Sequence, residues 1–305
     1  MSLNMLRLFR LLVTLDFLSS VISSNIPCSE ISNIEVPGAD IVSISGKEVV
    51  NYTVVPVPTL LNTPITDLNF CNITVVITHP GDNDTVTNSI WLPPAPGWNG
   101  RFQAAGGGGY SVSNGEPGLG IAVSKGYSVG ASDGGNFGFG YNIFPTSLKS
   151  NGEVDWPLFQ NYAFRSIHDM AVIGKAVTEL YYGTAPKYSY MNGCSNGGRQ
   201  GFIAAQKYPK DFDGVMAASP AVNFAQALVS IQWPYTVMKQ ENTAPSECMF
   251  NTFVNASIAE CDGLDGVLDG IIGNIQDCNF NPYTLVGTET VCDGKTTTID
   301  EATVS

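Results

Sequence analysis

Tyr188, Ser189, Tyr190, Met191, Asn192, Gly193, Cys194, Ser195, Asn196, Gly197, Gly198, Arg199, Gln200 changes chemical character twice. Tyr188 to Met191 is a β-type run, Asn192 to Gly198 is a turn of small residues, and Arg199 to Lys207 suits a helix. Gly214 to Ala218 then reads as the next strand. Strand, helix and strand in this order need a crossover, so the sheet around Ser195 is expected to be parallel and the fold class α/β. Gly193, Cys194, Ser195, Asn196 and Gly197 spell G-x-S-x-G at the strand-to-helix turn, the context that motif requires. The flanking glycines permit a tight, strained turn that lifts the Ser195 hydroxyl clear of the sheet. Ser195 is therefore the expected nucleophile, with the Asn196 N–H at the helix N-terminus aimed at a developing oxyanion.

Small residues in an ordinary βα turn can spell the same pattern, so the upstream sequence matters. An apolar strand, Phe102 to Ala105, runs into Gly106 to Gly109, and Tyr127 to Ala131 ends at Ser132, Asp133, Gly134 and Gly135. Strands ending in glycine-rich loops suggest the active edge of an α/β sheet. Gly107 and Gly108 are expected to supply the second oxyanion N–H, because no side chain blocks the approach. A phosphate loop is the rival reading, but no Lys-Ser/Thr pair follows those glycines. The formal net charge of −13 also repels phosphate, nucleic acid and anionic membranes. Asn161 to Tyr182 carries Ile167, Met170, Ile173, Val177 and Leu180 at helical spacing, with Gly183 where a C-cap belongs. Before Trp98, β-type runs such as Asn72 to Thr78 alternate with turn signals such as Pro80, Gly81 and Asp82, which predicts antiparallel strands.

Arg7 and Arg10, an apolar run from Leu11 to Leu18, and small residues at Ser20, Ser23 and Ser24 read as a secretory signal peptide over 1–24. A membrane anchor is the alternative, but the run is far shorter than the roughly 20 residues a bilayer needs, and Asp16 breaks it. Asn51, Asn72, Asn83 and Asn255 each open an Asn-X-Ser/Thr sequon, as in an extracellular glycoprotein. Seven cysteines without CxxC spacing are expected to be mostly disulfides. Seven is odd, so one thiol is free or lacks its partner. Beyond Phe224 the periodicity weakens. There Asp262, Asp265 and Asp269 alternate with glycines, a set of hard oxygen donors suited to Ca²⁺ or else a series of Asp-Gly turns.

Gly193 to Gln200, with Tyr208, Pro209, Asp213 and Gly214 and the upstream Trp98 to Arg101 and Gly106 to Gly109, resembles the tannase and feruloyl esterase family of secreted serine esterases. The likeness extends from Cys28 to the end of the sequence. It implies a partial α/β-hydrolase fold: the N-terminal part of a catalytic domain over 25–224, then the start of a lid over 225–305. It implies a hydrolase of phenolic esters, feruloyl or tannin type, working through an acyl-enzyme on a small ester or a feruloylated polysaccharide. It also implies a structural Ca²⁺ held by the side chains of Asp262, Asp265 and Asp269 and the carbonyls of Val267 and Ile271, with Cys261 and Cys278 clamping the loop. In that family the cysteine before the nucleophile, here Cys194, bonds to a cysteine beside the catalytic histidine. The remaining pairs are expected to be Cys28 with Cys71 and Cys248 with Cys292, leaving Cys194 odd.

The triad of such a fold runs Ser, Asp or Glu, then His, yet the chain's two histidines, His79 and His168, both precede Ser195. His79, ending a β run before Pro80, is expected at the surface, and His168, beside Asp169 in the helix, is expected to be structural. The resemblance implies that the triad Asp and His belong after Ser305, and residues 1–305 alone are expected to be inactive at ordinary enzymatic rates. The rival class is a non-catalytic secreted glycoprotein; a serine peptidase on the same fold would share the elbow but not the acidic loop.

Overall fold

A computed structural model describes residues 26–58, 60–135 and 148–304; the proposed signal segment 1–24 lies outside them. The chain divides into two compact units between Ala221 and Val222.

The first unit is built on a seven-stranded sheet. Its strands are β1 (Asp40–Val54), β2 (Ile65–Thr78), β3 (Val86–Leu92), β4 (Arg101–Ala105), β5 (Ser128–Ser132), β6 (Tyr188–Cys194) and β7 (Gly214–Ala218), in the order β1-β2-β3-β5-β4-β6-β7. β1 to β3 pair antiparallel, as the alternating N-terminal runs predict, and β3 pairs antiparallel with β5. From there β5, β4, β6 and β7 are parallel, as the strand-helix-strand reading requires. A mixed sheet of this kind with covering helices is the α/β architecture expected.

Period-two alternation assigns the two faces. Ile73, Val75 and Ile77 of β2 and Phe102 and Ala104 of β4 pack with the helix α3 (Ser166–Tyr182), through Ile167, Met170, Ile173 and Val177. The intervening positions, Phe70 of β2 and Ala105 of β4, pack instead with Leu119, Ala122 and Val123 of α1 (Gly115–Ser124). Gly183 ends α3 in the left-handed conformation, φ 69°, which is the expected C-cap. The helical stretch begins earlier than the periodicity suggested. A short helix α2 (Trp156–Gln160) opens at Asp155, whose side chain accepts the Leu158 N–H, and a π turn (Asn161–Arg165) joins it to α3. The Cys28–Cys71 disulfide ties the N-terminal turn to β2.

The second unit holds α5 (Phe224–Gln240), α6 (Glu247–Cys261), the hairpin β8 (Glu289–Cys292) and β9 (Lys295–Thr298), and α7 (Glu301–Val304). Ser246 caps α6 by accepting the Met249 N–H. Cys248–Cys292 links α6 to β8, and Cys261–Cys278 closes the acidic loop. All three pairs are those the sequence suggested, and Cys194 is the free, exposed cysteine.

Candidate active site

The helix α4 (Asn196–Lys207) starts directly after β6, and Ser195 between them has φ 59° and ψ −115°. A positive φ on a non-glycine residue costs on the order of 1–3 kcal/mol and is held only when its surroundings enforce it. Two backbone bonds do so: the Ser195 N–H donates to Ala218 O at 3.0 Å, and Ser195 O accepts from Ala221 N at 3.1 Å. The turn is tight enough to demand glycine, because a Cβ on Gly193 would lie 2.5 Å from the Gly197 carbonyl. The result is an exposed Ser195 side chain at the C-terminal edge of the parallel strands.

β4 and β6 are neighbours, so the glycine loop after β4 lies against the start of α4. A Cβ on Gly107 would fall 1.8 Å from Ser111 O, so no other residue fits there without moving the loop. The two segments are stitched together by hydrogen bonds. Gly197 N donates to Gly107 O at 2.8 Å, and the buried Asn196 side chain donates through Nδ2 to Ser111 O at 2.8 Å. Gln200, also buried, accepts the Gly107 N–H through Oε1 at 3.0 Å and donates through Nε2 to Val112 O at 3.0 Å. Of the two glycines expected to face the oxyanion, Gly107 therefore has its N–H committed. The Gly108 and Asn196 N–H groups have no hydrogen-bond partner among the described residues. Free N–H groups on the residue after an exposed serine and on a glycine loop packed against the same helix are the kind of donors that can receive a developing negative charge.

Asn196 is itself held in place. Its Oδ1 accepts from Arg199 Nε at 2.7 Å and from Tyr162 Oη at 3.3 Å. Arg199 lies over the Tyr162 ring and donates to the carbonyls of Tyr162 and Ala163, both within the π turn. Burial lowers the Arg199 pKa and raises that of Tyr162.

Neither histidine has a hydrogen bond to Ser195. His168 pairs through Nδ1 with Asp211 at 2.7 Å and stacks on Tyr208, the structural role expected for it. The hydrogen bond from Asp211 raises the His168 pKa. The expectation of a surface His79 is overturned. The ring is buried, 2.7 Å from Asp84 and 3.2 Å from Asp169. Burial alone would pull its pKa down, but the bonds to Asp169 and Asp84 outweigh that and raise it. Asp169 comes from α3, 90 residues away, which is why a β-strand ending before Pro80 gave no hint of it.

Among the described residues, His79, Asp82 and Asp84 alone form a trio whose possible ligand atoms lie within 4.8 Å of one another. Arg165 already pairs with Asp82 at 2.6 Å and Asp84 at 3.4 Å, so a guanidinium supplies the positive charge there. In the acidic loop the donor chemistry suits a hard cation. As folded, however, Asp262 accepts the N–H groups of Asp269, Gly270 and Ile271, and Asp265 accepts that of Val267.

The family described as "Tannase and feruloyl esterase" matches residues 71–305. A probable feruloyl esterase from Arthroderma benhamiae is 45% identical over 278 residues, covering 91% of this chain and 52% of its own length. A tannase from Aspergillus oryzae is 34% identical over 238 residues, covering 76% of this chain and 40% of its own. Among solved structures, a tannin acyl hydrolase from Aspergillus niger superposes with a TM-score of 0.75 at 29% identity, over 92% of this chain and 52% of that one. The chain thus spans about half the length of the relatives it matches. With its elbow, its glycine loop and these relatives, the chain belongs to the tannase and feruloyl esterase family.

Proposed function

We propose that residues 25–305 carry the nucleophile and oxyanion site of a secreted carboxylic ester hydrolase acting on phenolic esters of the feruloyl or tannin type. The observation that carries this reading is the strained, exposed Ser195 at the head of α4, with the glycine loop stitched against that helix and the Asn196 and Gly108 N–H groups unpartnered among the described residues. Ser195 Oγ attacks the ester carbonyl, and the tetrahedral oxyanion accepts hydrogen bonds from those two groups. The alcohol leaves with a proton, and water then attacks the acyl-serine and releases the acid. The proton needs a base. Both histidines pair with carboxylates and not with Ser195; the family resemblance implies a histidine base beside a cysteine that bonds to Cys194, which is free and exposed here. The names of the relatives support the substrate class.

Secretion is supported by three disulfides. No helix among the described residues is long and apolar enough to cross a membrane. Asn51, Asn83 and Asn255 are exposed glycan acceptors, and Asn72 is half-buried within β2. We also assign a structural Ca²⁺ to Asp262, Asp265 and Asp269 with the Val267 and Ile271 carbonyls. The hard oxygen set and the Cys261–Cys278 clamp support it. The ion would offset two of the three carboxylate charges and order the loop, and it takes no part in ester cleavage.

Methyl ferulate hydrolysis by residues 25–305 tests the reading. Without a base the oxyanion site alone should give a slow rate, on the order of 10³-fold above buffer. An ordinary enzymatic rate abolished by Ser195→Ala would show that a base lies within these residues. A rate equal to buffer would refute the esterase and favour a non-catalytic glycoprotein.

A further inference from the structure

We infer that Gln200 is a positioning residue for the oxyanion site, setting which glycine N–H faces the reacting carbonyl. The inference rests on the ester-hydrolase reading above and goes beyond it by assigning a role to a side chain that never meets substrate. Gln200 is 2% exposed, on the first turn and a half of α4, four residues beyond Asn196 and therefore on the same helix face. Its amide is used at both ends, Oε1 on the Gly107 N–H and Nε2 on Val112 O, and only one orientation of the amide satisfies both. These two bonds grip the glycine loop at two points five residues apart. Between them lies Gly108, half-buried, with its N–H unpartnered among the described residues.

Two consequences follow from this placement. By consuming the Gly107 N–H, Gln200 removes a competing donor and leaves Gly108 to face the oxyanion. By springing from the helix whose first N–H is that of Asn196, it also ties both donors to one rigid element. A pre-set donor pair stabilises charge without reorganising when the charge appears, and that is the source of its catalytic value. Asn196 adds a third grip at Ser111 O, but from the residue that carries a donor itself. Gln200 is separable from the donors, which makes it testable.

The experiment uses the chain as it stands, with p-nitrophenyl acetate as probe. A chain without a base retains whatever acceleration its oxyanion site provides. Gln200→Leu is expected to lower kcat by on the order of 10²-fold, the loss seen when one oxyanion donor is removed, with KM unchanged. Gln200→Glu keeps an acceptor for the Gly107 N–H but sets a carboxylate against the Val112 carbonyl. Its kcat should fall at pH 8 and recover relative to wild type at pH 5, where a protonated Glu donates again. Amide hydrogen exchange over 106–113 should rise in Gln200→Leu while that over β6 stays protected, which separates a freed loop from an unfolded one. If wild type accelerates hydrolysis and Gln200→Leu does so equally, this inference falls alone. If all variants lose kcat and β6 protection together, Gln200 is a core residue and the inference also falls. If wild type matches buffer, the hydrolase reading falls and takes this one with it.

Discussion

Phe102 and Trp233 are both large aromatic side chains on regular elements, yet Phe102 is fully buried and Trp233 is 60% exposed. The contrast extends to their surroundings. Phe102 sits among Ala104, Ile167, Met170 and Met191, one of three packed clusters in the unit up to Ala221. On α5, by comparison, no residue is buried, and Val229, Ile231 and Tyr235 are as open as Trp233. Beyond Val222 the buried side chains are few, notably Cys261, Cys292 and Ile299, and two of these are disulfide-bonded. A sheet covered on both faces is held by burial. A stretch with little to bury needs covalent ties, as small secreted domains generally do.

Reduction should separate the two units most forcefully. Cys248–Cys292 and Cys261–Cys278 close loops with sequence separations of 44 and 17, worth about 4 and about 3 kcal/mol by chain entropy. The sum rivals the whole stability of an ordinary small domain. Dithiothreitol is expected to abolish hydrogen-exchange protection over α6 and the β8–β9 hairpin while β4 and β6 remain protected. Loss of both regions together would mean that their stabilities are not separate.

A smaller effect should come from calcium. At a concentration 100 times its dissociation constant, an ion bound only by the folded loop adds about 2.7 kcal/mol. Calorimetry with and without chelator should move the transition of the second unit and leave that of the first in place. An unchanged transition with no bound metal would remove Ca²⁺ from the account.

The smallest effect belongs to His168. Its pKa is raised in the folded protein by Asp211, so its stabilising contribution is complete below the unfolded value near 6.5 and is lost as pH rises through the folded value. The stability deficit of His168→Gln should therefore be larger at pH 5.5 than at pH 8, by less than about 1 kcal/mol because the ring is partly exposed. Asp169 and Lys175 also face this ring, with opposite effects, and remain the same in both proteins. A deficit independent of pH would assign the role of His168 to its stacking on Tyr208.

Local features were readable from the sequence. The elbow, its flanking strand and helix, and the Gly183 cap are each decided within a few residues, by glycine sterics and hydrophobic period. The start of α2 carries a local signal as well, since Asp155 lies just before Pro157 and caps the helix, but the hydrophobic period that marks the helix sets in only after Asn161. His79 and Gln200 were not readable. Their partners lie 90 and 93 residues away, and nothing near either residue in the chain signals a buried pair or a grip on a glycine loop. The same distance explains why Gly107 and Gly108 looked equivalent. Only the fold brings Gln200 to one of them.

The separation of 93 residues between Gly107 and Gln200 also has a meaning in time. A ribosome adding about 5–20 residues per second leaves roughly 5–20 s between the two. Until β6 is made, β4 can pair only with β5, and Gln200 cannot yet grip the glycine loop. The nucleophile is made at the end of the same interval, immediately before the helix that organises its surroundings. Ser195 and Gln200, five residues apart, leave the ribosome within about a second of each other, so the nucleophile and the side chain that grips its glycine loop arrive together.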